Sequence, residues 1–325
     1  MYKKMIFKPK RWYLIALFSV LALTSLFIGV LDVSFMGLLK GDKQAWHILW
    51  ISRIPRTMAI ILTASALSIA GLMMQAISRN KFISPSTAGT TNAAILGVLI
   101  GYLVMGQQSL IVRSLFAFVF ALISTLIFMM MLKKIKFKNV VYVPLIGMMY
   151  GAMISSVATF VAHRYQALQF LNTIGMSGFA SKAIGSYELL YLVIPAIVIA
   201  IMYATKFSIV GMGEDFAKNL GVHYSAVIAV GLVIIAVISS LTFVMVGSLP
   251  FVGLIVPNLV SYYYGDHVKK TIIDIGLFGS SFVLFNDIIS RLIVMPYEVS
   301  ISFTMGVTGA IIFLIIIFRR MKYEK

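Results

Sequence analysis

A chain of 325 residues with 61% hydrophobic and only 11% charged residues has too little polar surface to cover a soluble fold of its length. Its net charge of +17 sits in short loops between apolar runs, which argues against nucleic acid as the reason for it. The absence of cysteine excludes disulfides, thiolate metal sites and cysteine nucleophiles.

The apolar runs are mostly about 20 residues long, the length that fits the hydrocarbon core of a bilayer. A membrane β-barrel would instead show short alternating segments. The reading is therefore all-α: a polytopic membrane protein forming one transmembrane domain over residues 1–325. The N-terminus, MYKKMIFKPKR, precedes an uncharged run from Trp12 to Leu31. That run is long for a signal core and lacks a small-residue cleavage site, so it is read as a first, retained span. Further spans are predicted at 57–78, 90–106, 114–132, 139–162, 189–205, 226–249, 251–264, 271–290 and 300–318, about ten helices in all. The eighth is short and contains Pro257.

With the N-terminus inside, the cytoplasmic loops hold 19 of the 27 Lys and Arg residues. Ten crossings return the C-terminus to the same side, as the positive-inside rule prefers. Three of the outer cations, Arg53, Arg56 and Arg291, lie closest to span ends.

Span two is rich in small residues, Ala64, Ser65, Ala66, Ser68, Ala70 and Gly71, which let helix backbones approach closely. The loop 163–188 is polar but carries Leu168, Phe170, Leu171 and Phe179, so packing against a pore mouth is expected of it. Residues 211–224, GMGEDFAKNLGVHY, predict a short amphipathic helix in a cytoplasmic loop at about 206–225. Its apolar side is Phe216, Ala217 and Leu220, and Gly221 is its left-handed cap. Such a helix outside the bilayer needs headgroups or a protein partner over its stripe. In GSLPFVGLIVPNLVSYYYG, residues 247–265, Pro250, Gly253 and Pro257 free backbone groups that must be buried in protein or line a cavity.

The intramembrane acids are few. Asp274 and Asp287 lie near the two ends of span nine, and Asp287 is four residues from Arg291, close enough to pair on one helix face. Almost no charge is expected at the bilayer midplane, which disfavours an ion-coupled carrier, and no filter-like loop suggests a channel. No G-x-x-x-x-G-K-[ST] loop is present. His47, His163, His223 and His267 are placed in different loops without metal-ligand spacing. The 20 methionines, Met73, Met74 and Met129 to Met131 among them, read as packing or lipid-facing residues.

Several of these segments together resemble the FecCD family, the permeases of ATP-binding-cassette importers for ferric siderophores, haem and vitamin B12. The pattern R-[LI]-P-R, small residues and G, then Q, N and P is present as Arg53, Pro55, Arg56, Gly71, Gln75, Asn80 and Pro85. G-E-x-x-A-x-x-L-G is present as Gly213, Glu214, Ala217, Leu220 and Gly221, and F-V-G-L-I-V-P as Phe251 to Pro257. D-x-x-[SA]-R corresponds to Asp287 and Arg291. The chain departs from the pattern at Lys81, where the family has proline, and at Asn258, where it has histidine. It also departs at Glu298-Val-Ser-Ile-Ser302, which lacks the usual proline and glycine, and at Gly309-Ala310-Ile311 in place of G-A-P.

The resemblance implies a type II importer permease fold and transport of a ferric siderophore, with haem or a cobalamin-like corrinoid as the alternative cargo. It implies that Arg53, Arg56 and Arg291 receive carboxylates of an external substrate-binding lipoprotein. Gly213, Glu214, Ala217, Leu220 and Gly221 would couple to an ATP-binding subunit dimer. Gly71, Gln75, Asn80, Pro85, Gly253, Pro257 and Asn258 would serve helix packing and the pathway. It further implies a second permease copy, itself or a paralogue, with the pore between the two. The chain itself would hold no cofactor, since ATP and magnesium belong to the partner.

Overall fold

The computed structural model describes residues 10–29, 34–106, 109–134, 142–175 and 178–323. Among them the chain forms α1 (Arg11–Phe27), α2 (Phe35–Leu39), α3 (Lys43–Ile48), α4 (Ile54–Ser78) and α5 (Thr90–Met105). Then come α6 (Leu110–Lys134), α7 (Tyr142–Arg164), α8 (Leu168–Gly175), α9 (Val193–Met202) and α10 (Ala204–Val210). The chain closes with α11 (Glu214–Asn219), α12 (Tyr224–Val246), α13 (Val252–Tyr264), α14 (Val268–Leu292) and α15 (Ile301–Tyr323). All ten expected spans fall on helices; residues 30–31 of the first and 139–141 of the fifth lie outside the described residues.

Among the described residues, five helical stretches are long and apolar enough to cross a bilayer: Lys43–Ser78, Leu110–Leu132, Tyr142–Arg164, Tyr224–Val246 and Val268–Leu292. The sixth expected span is broken. A 3-10 turn, Glu188–Leu192, leads into α9, and α10 follows at a bend of 60°. No proline or glycine marks this break; Tyr203, at φ −87° and ψ 0°, absorbs it. The stretches Arg11–Phe27, Thr90–Met105 and Ile301–Ile315 are apolar but shorter, and α13 has only 13 residues.

Helix α4 is the axis of the bundle. Its flanking helices α14, α12 and α13 enclose it, and α6 and α7 lie toward the rim. Lipid supplies no hydrophobic drive between helices, so the contacts depend on close backbone approach. A Cβ on Gly71 would overlap the carbonyl of Gly253 on α13, and one on Gly279 would strike Ser68. Pro257 explains part of this geometry: it cannot donate to the Gly253 carbonyl one turn back, and the bare face of Gly71 packs there. Gly71→Ala must push two backbones apart. Overpacking of that kind costs about 1–3 kcal/mol, so a lower melting temperature in detergent is expected, and an unchanged one would show that α4 and α13 are not in contact here.

Met73 and Met74 are fully buried in this core, whereas Met130 faces outward. The long loop after α7 packs on its own bundle: Phe170 of α8 stacks on Tyr102 at 3.8 Å, and Phe179 is buried in the main core.

Candidate functional site

At one end of the bundle a second proline shapes the site. Leu49–Arg53 is a single π-helical turn between α3 and α4, followed at once by Pro55. A proline there removes the donor that would bond the Ile51 carbonyl, and a π-turn is a common way to absorb such a misfit. The Ile51 carbonyl instead accepts from the backbone N–H of Ile184, which ties the long loop to this end.

The turn delivers Arg53 and Arg56 beside the ends of α1 and α14. Arg56 donates through Nη2 to Asp287 Oδ1 at 2.8 Å and spans both oxygens of Glu298, at 2.7 and 2.9 Å. Arg291 pairs with the other oxygen of Asp287 and donates to Ser25 Oγ at 3.0 Å and to the carbonyls of Ser25 and Ile28. Arg53 donates to the Ile28 carbonyl at 2.8 Å. The last carbonyls of α1 form the negative pole of a helix dipole and suit these cations.

The structure thus brings together all three arginines picked out in sequence, and it adds Glu298 and the end of α1, which sequence reasoning did not. It also turns the arginines inward. Arg53 and Arg56 are 6% exposed and Arg291 2%, while Glu298 keeps a quarter of its side chain open. Burial pushes the Glu298 carboxyl up, but the hydrogen bonds from Arg56 and the nearby Arg56, Arg291 and Arg53 charges pull harder, so it sits below the ordinary carboxylate range. Its contribution is therefore complete above that range and is lost as pH falls through the lowered value.

At the other end of α14, Asp274 is buried and held by Arg11 at 2.7 and 2.9 Å. Both acids of the expected span nine are thus neutralised by arginine. The amphipathic helix lies at this same end. Gly213, at φ +124°, starts α11 and packs against the Arg79 guanidinium, and Gly221, at φ +71°, ends it. Glu214 and Lys218 pair at 2.9 Å, which raises the Lys218 ammonium. The stripe differs from the expectation. Ala217 turns inward and is fully buried, whereas Phe216 and Leu220 point outward together with Met212. Residues 212, 216 and 220 stand four apart and form an uncovered apolar row; that spacing was the available signal for Met212.

The other singled-out residues gather where α4 meets α13, from the middle of α4 to its α11 end. Gln75 donates to the Leu254 carbonyl at 3.3 Å, and the Asn80 side chain accepts from the Phe82 N–H. Pro85 lies against Gly253. A cavity of about 400 Å³ opens beside them, lined by Gln75, Arg79, Lys81 and Asp266 among others. A second, of about 390 Å³, is lined by Met148 and Phe251 and by Ser84, Ser86, Asn92 and Ser248, four polar residues that sequence reasoning passed over. Among the described residues no cluster of His, Asp or Glu has the arrangement of a metal site. His47 and His163 lie within helices α3 and α7, not in loops, and His223 and His267 precede α12 and α14.

Residues 17–319 match the FecCD transport family. The chain belongs to that family. It is 46% identical over 311 residues to the petrobactin import system permease YclN of Bacillus subtilis, covering 96% of this chain and 98% of that one. It is 36% identical over 309 residues to the ferric-anguibactin transport permease FatD of Vibrio anguillarum, covering 95% and 98%. Its fold superposes with a TM-score of 0.80 on a transporter described as a metal-chelate type ABC transporter in an inward-facing conformation. That likeness covers 95% of this chain and 98% of the other at 20% identity.

Two departures of this FecCD chain from the family pattern touch each other. Asn258 donates to the Lys81 carbonyl at 2.7 Å, and Lys81 Nζ pairs with Asp266 at 2.7 Å. The two changes therefore secure one junction, between the turn after α4 and the end of α13. A third departure is bonded too: Ser302 donates to the Ser248 carbonyl at 2.7 Å.

Proposed function

We propose that this FecCD-family chain is the permease subunit of an ATP-binding-cassette importer that carries a ferric siderophore inward across a bacterial cytoplasmic membrane. Both termini are cytoplasmic in this reading, and residues 1–325 act as one transmembrane domain. Full-length identity of 46% to a petrobactin permease is the observation that carries the cargo class. A second copy, identical or paralogous, completes the pore. An ATP-binding dimer, which holds the nucleotide and magnesium, seats the row Met212, Phe216 and Leu220 of the segment 212–221, which also carries Gly213, Glu214, Ala217 and Gly221. A substrate-binding lipoprotein docks at the Arg53, Arg56 and Arg291 end. The 25 residues of α4, about 37 Å at the α-helical rise, join the two ends through Gly71 and Gln75. The chain performs no chemistry: the chelator holds the iron, and nucleotide-driven motion of the loop at 206–225 shifts the pore between outward and inward states.

Uptake of radiolabelled iron in a strain lacking the chain, with and without the gene restored, tests this reading. Uptake with petrobactin or a related catecholate chelator is expected, together with co-purification of an ATPase and a binding protein. Uptake of haem or a corrinoid alone, or uptake that stops when the ion gradient collapses with ATP intact, would overturn it. The docking role has its own variant. Charge reversal at Arg56 would set a third carboxylate against Asp287 and Glu298, so neutral Arg53→Gln is the cleaner change. It is expected to weaken binding-protein affinity about tenfold, the scale of one lost charged contact, with ATPase assembly intact. Unchanged affinity and uptake would remove Arg53 from the docking site.

A further inference from the structure

The cluster at the Arg53 end holds three arginines against two carboxylates, Asp287 and Glu298, and those two carboxylates differ sharply. Asp287 is 1% exposed, fixed on α14, and shared between Arg56 and Arg291. Glu298 is open to solvent over a quarter of its side chain and sits on the connector between α14 and α15. Its two hydrogen bonds to Arg56 are those an external carboxylate would make to the same fork.

Resting on the docking reading above, we propose that Glu298 is a resident stand-in for the binding protein's carboxylate, and that docking exchanges one for the other on Arg56. Stripping a buried guanidinium of its partner is costly, but swapping carboxylate for carboxylate leaves Arg56 paired throughout. The site therefore stays shut until an acidic partner arrives. The connector that Glu298 anchors is otherwise lightly held. Its backbone bonds include Val299 to the Ser290 carbonyl at 3.0 Å and Tyr297 to the Val294 carbonyl at 2.8 Å, and Ile293, Val294, Met295 and Tyr297 are exposed. Release of Glu298 frees the lead into α15, whose polar ties run to Ser248 and Asn286. Docking at the surface is thereby connected to a membrane helix.

The test uses the assembled transporter in lipid nanodiscs and the binding protein that co-purifies with it. Glu298→Gln removes the competing charge at nearly constant shape and is expected to tighten that protein about tenfold. Glu298→Asp, one methylene shorter, is expected to give a smaller gain and serves if the first variant folds poorly. A purely structural Glu298 predicts the opposite sign, so equal or weaker binding in well-folded variants overturns the exchange. A second arm needs no partner. Phenylglyoxal modification of Arg56 in the intact chain, read by mass spectrometry, is expected to speed about tenfold in Glu298→Gln; an unchanged rate also overturns the proposal. The two readings fail separately. Normal binding by Arg53→Gln and Arg56→Gln overturns docking itself, whereas lost binding there with no gain in Glu298→Gln overturns only the exchange. A transporter that recruits no binding protein overturns both.

Discussion

Asp287→Asn is expected to leave little folded protein in the membrane and no measurable uptake. The carboxylate is buried between two arginines, with Arg56 on one oxygen and Arg291 on the other. Among the described residues, neutralising it leaves Arg291 with Ser25 and the Ile28 carbonyl, and Arg56 with Glu298, while both guanidiniums stay buried. Breaking a buried pair by removing one partner costs about 3–5 kcal/mol, because the remaining charge stays buried. A loss of that size is a large fraction of the net stability of an ordinary domain. The junction of α1, α4 and α14 should open first, so the defect should appear as a lower melting temperature and faster proteolysis near Ile28. A variant that expresses and melts like the parent would show that Asp287 is not the shared counter-ion. Asp274→Asn should be milder, since its partner Arg11 is half exposed and can turn to water.

Placing aspartate at both Phe216 and Leu220 is expected to reduce iron uptake at least about tenfold while the melting temperature of the isolated chain stays where it was. The asymmetry follows from exposure. Both side chains point away from the bundle, so replacing them removes no internal packing. An apolar row seated in a partner's groove is a different matter: each buried side chain there is worth about 1.5–3 kcal/mol, and an aspartate must also be desolvated. Ala217→Leu should behave in the opposite way, lowering stability because Ala217 is fully enclosed. Normal uptake by the Phe216→Asp, Leu220→Asp chain would remove this helix from the coupling interface.

The two ends of the molecule differ in how far they could be read from the chain. The short helix at 214–219 was visible because its signals are local: apolar residues at helical spacing, Phe216, Ala217 and Leu220, and the capping Gly221 after it. Its inward and outward sides were assigned less well, since Ala217 and Phe216 are neighbours and only the docked position of α11 separates them. The pairing of Asp287 with Arg291 was equally local, four residues along one helix. Glu298 escaped notice as a partner of Arg56 because they are 242 positions apart in sequence. The same holds for Arg11 and Asp274, separated by 263.

By itself the sequence determined the class of protein, the positions of about ten apolar helices and the motifs of the family, because hydropathy and short spacing act within one segment. Even there the bend at Tyr203 went unannounced, since no proline or glycine marks it. Tertiary structure alone decided that the arginines face inward, that Glu298 occupies Arg56, and that Gly71 exists to let a neighbouring carbonyl approach. The reason is physical: a buried charge is settled by whichever distant helix brings its counter-ion, and the chain between the partners carries no record of that meeting.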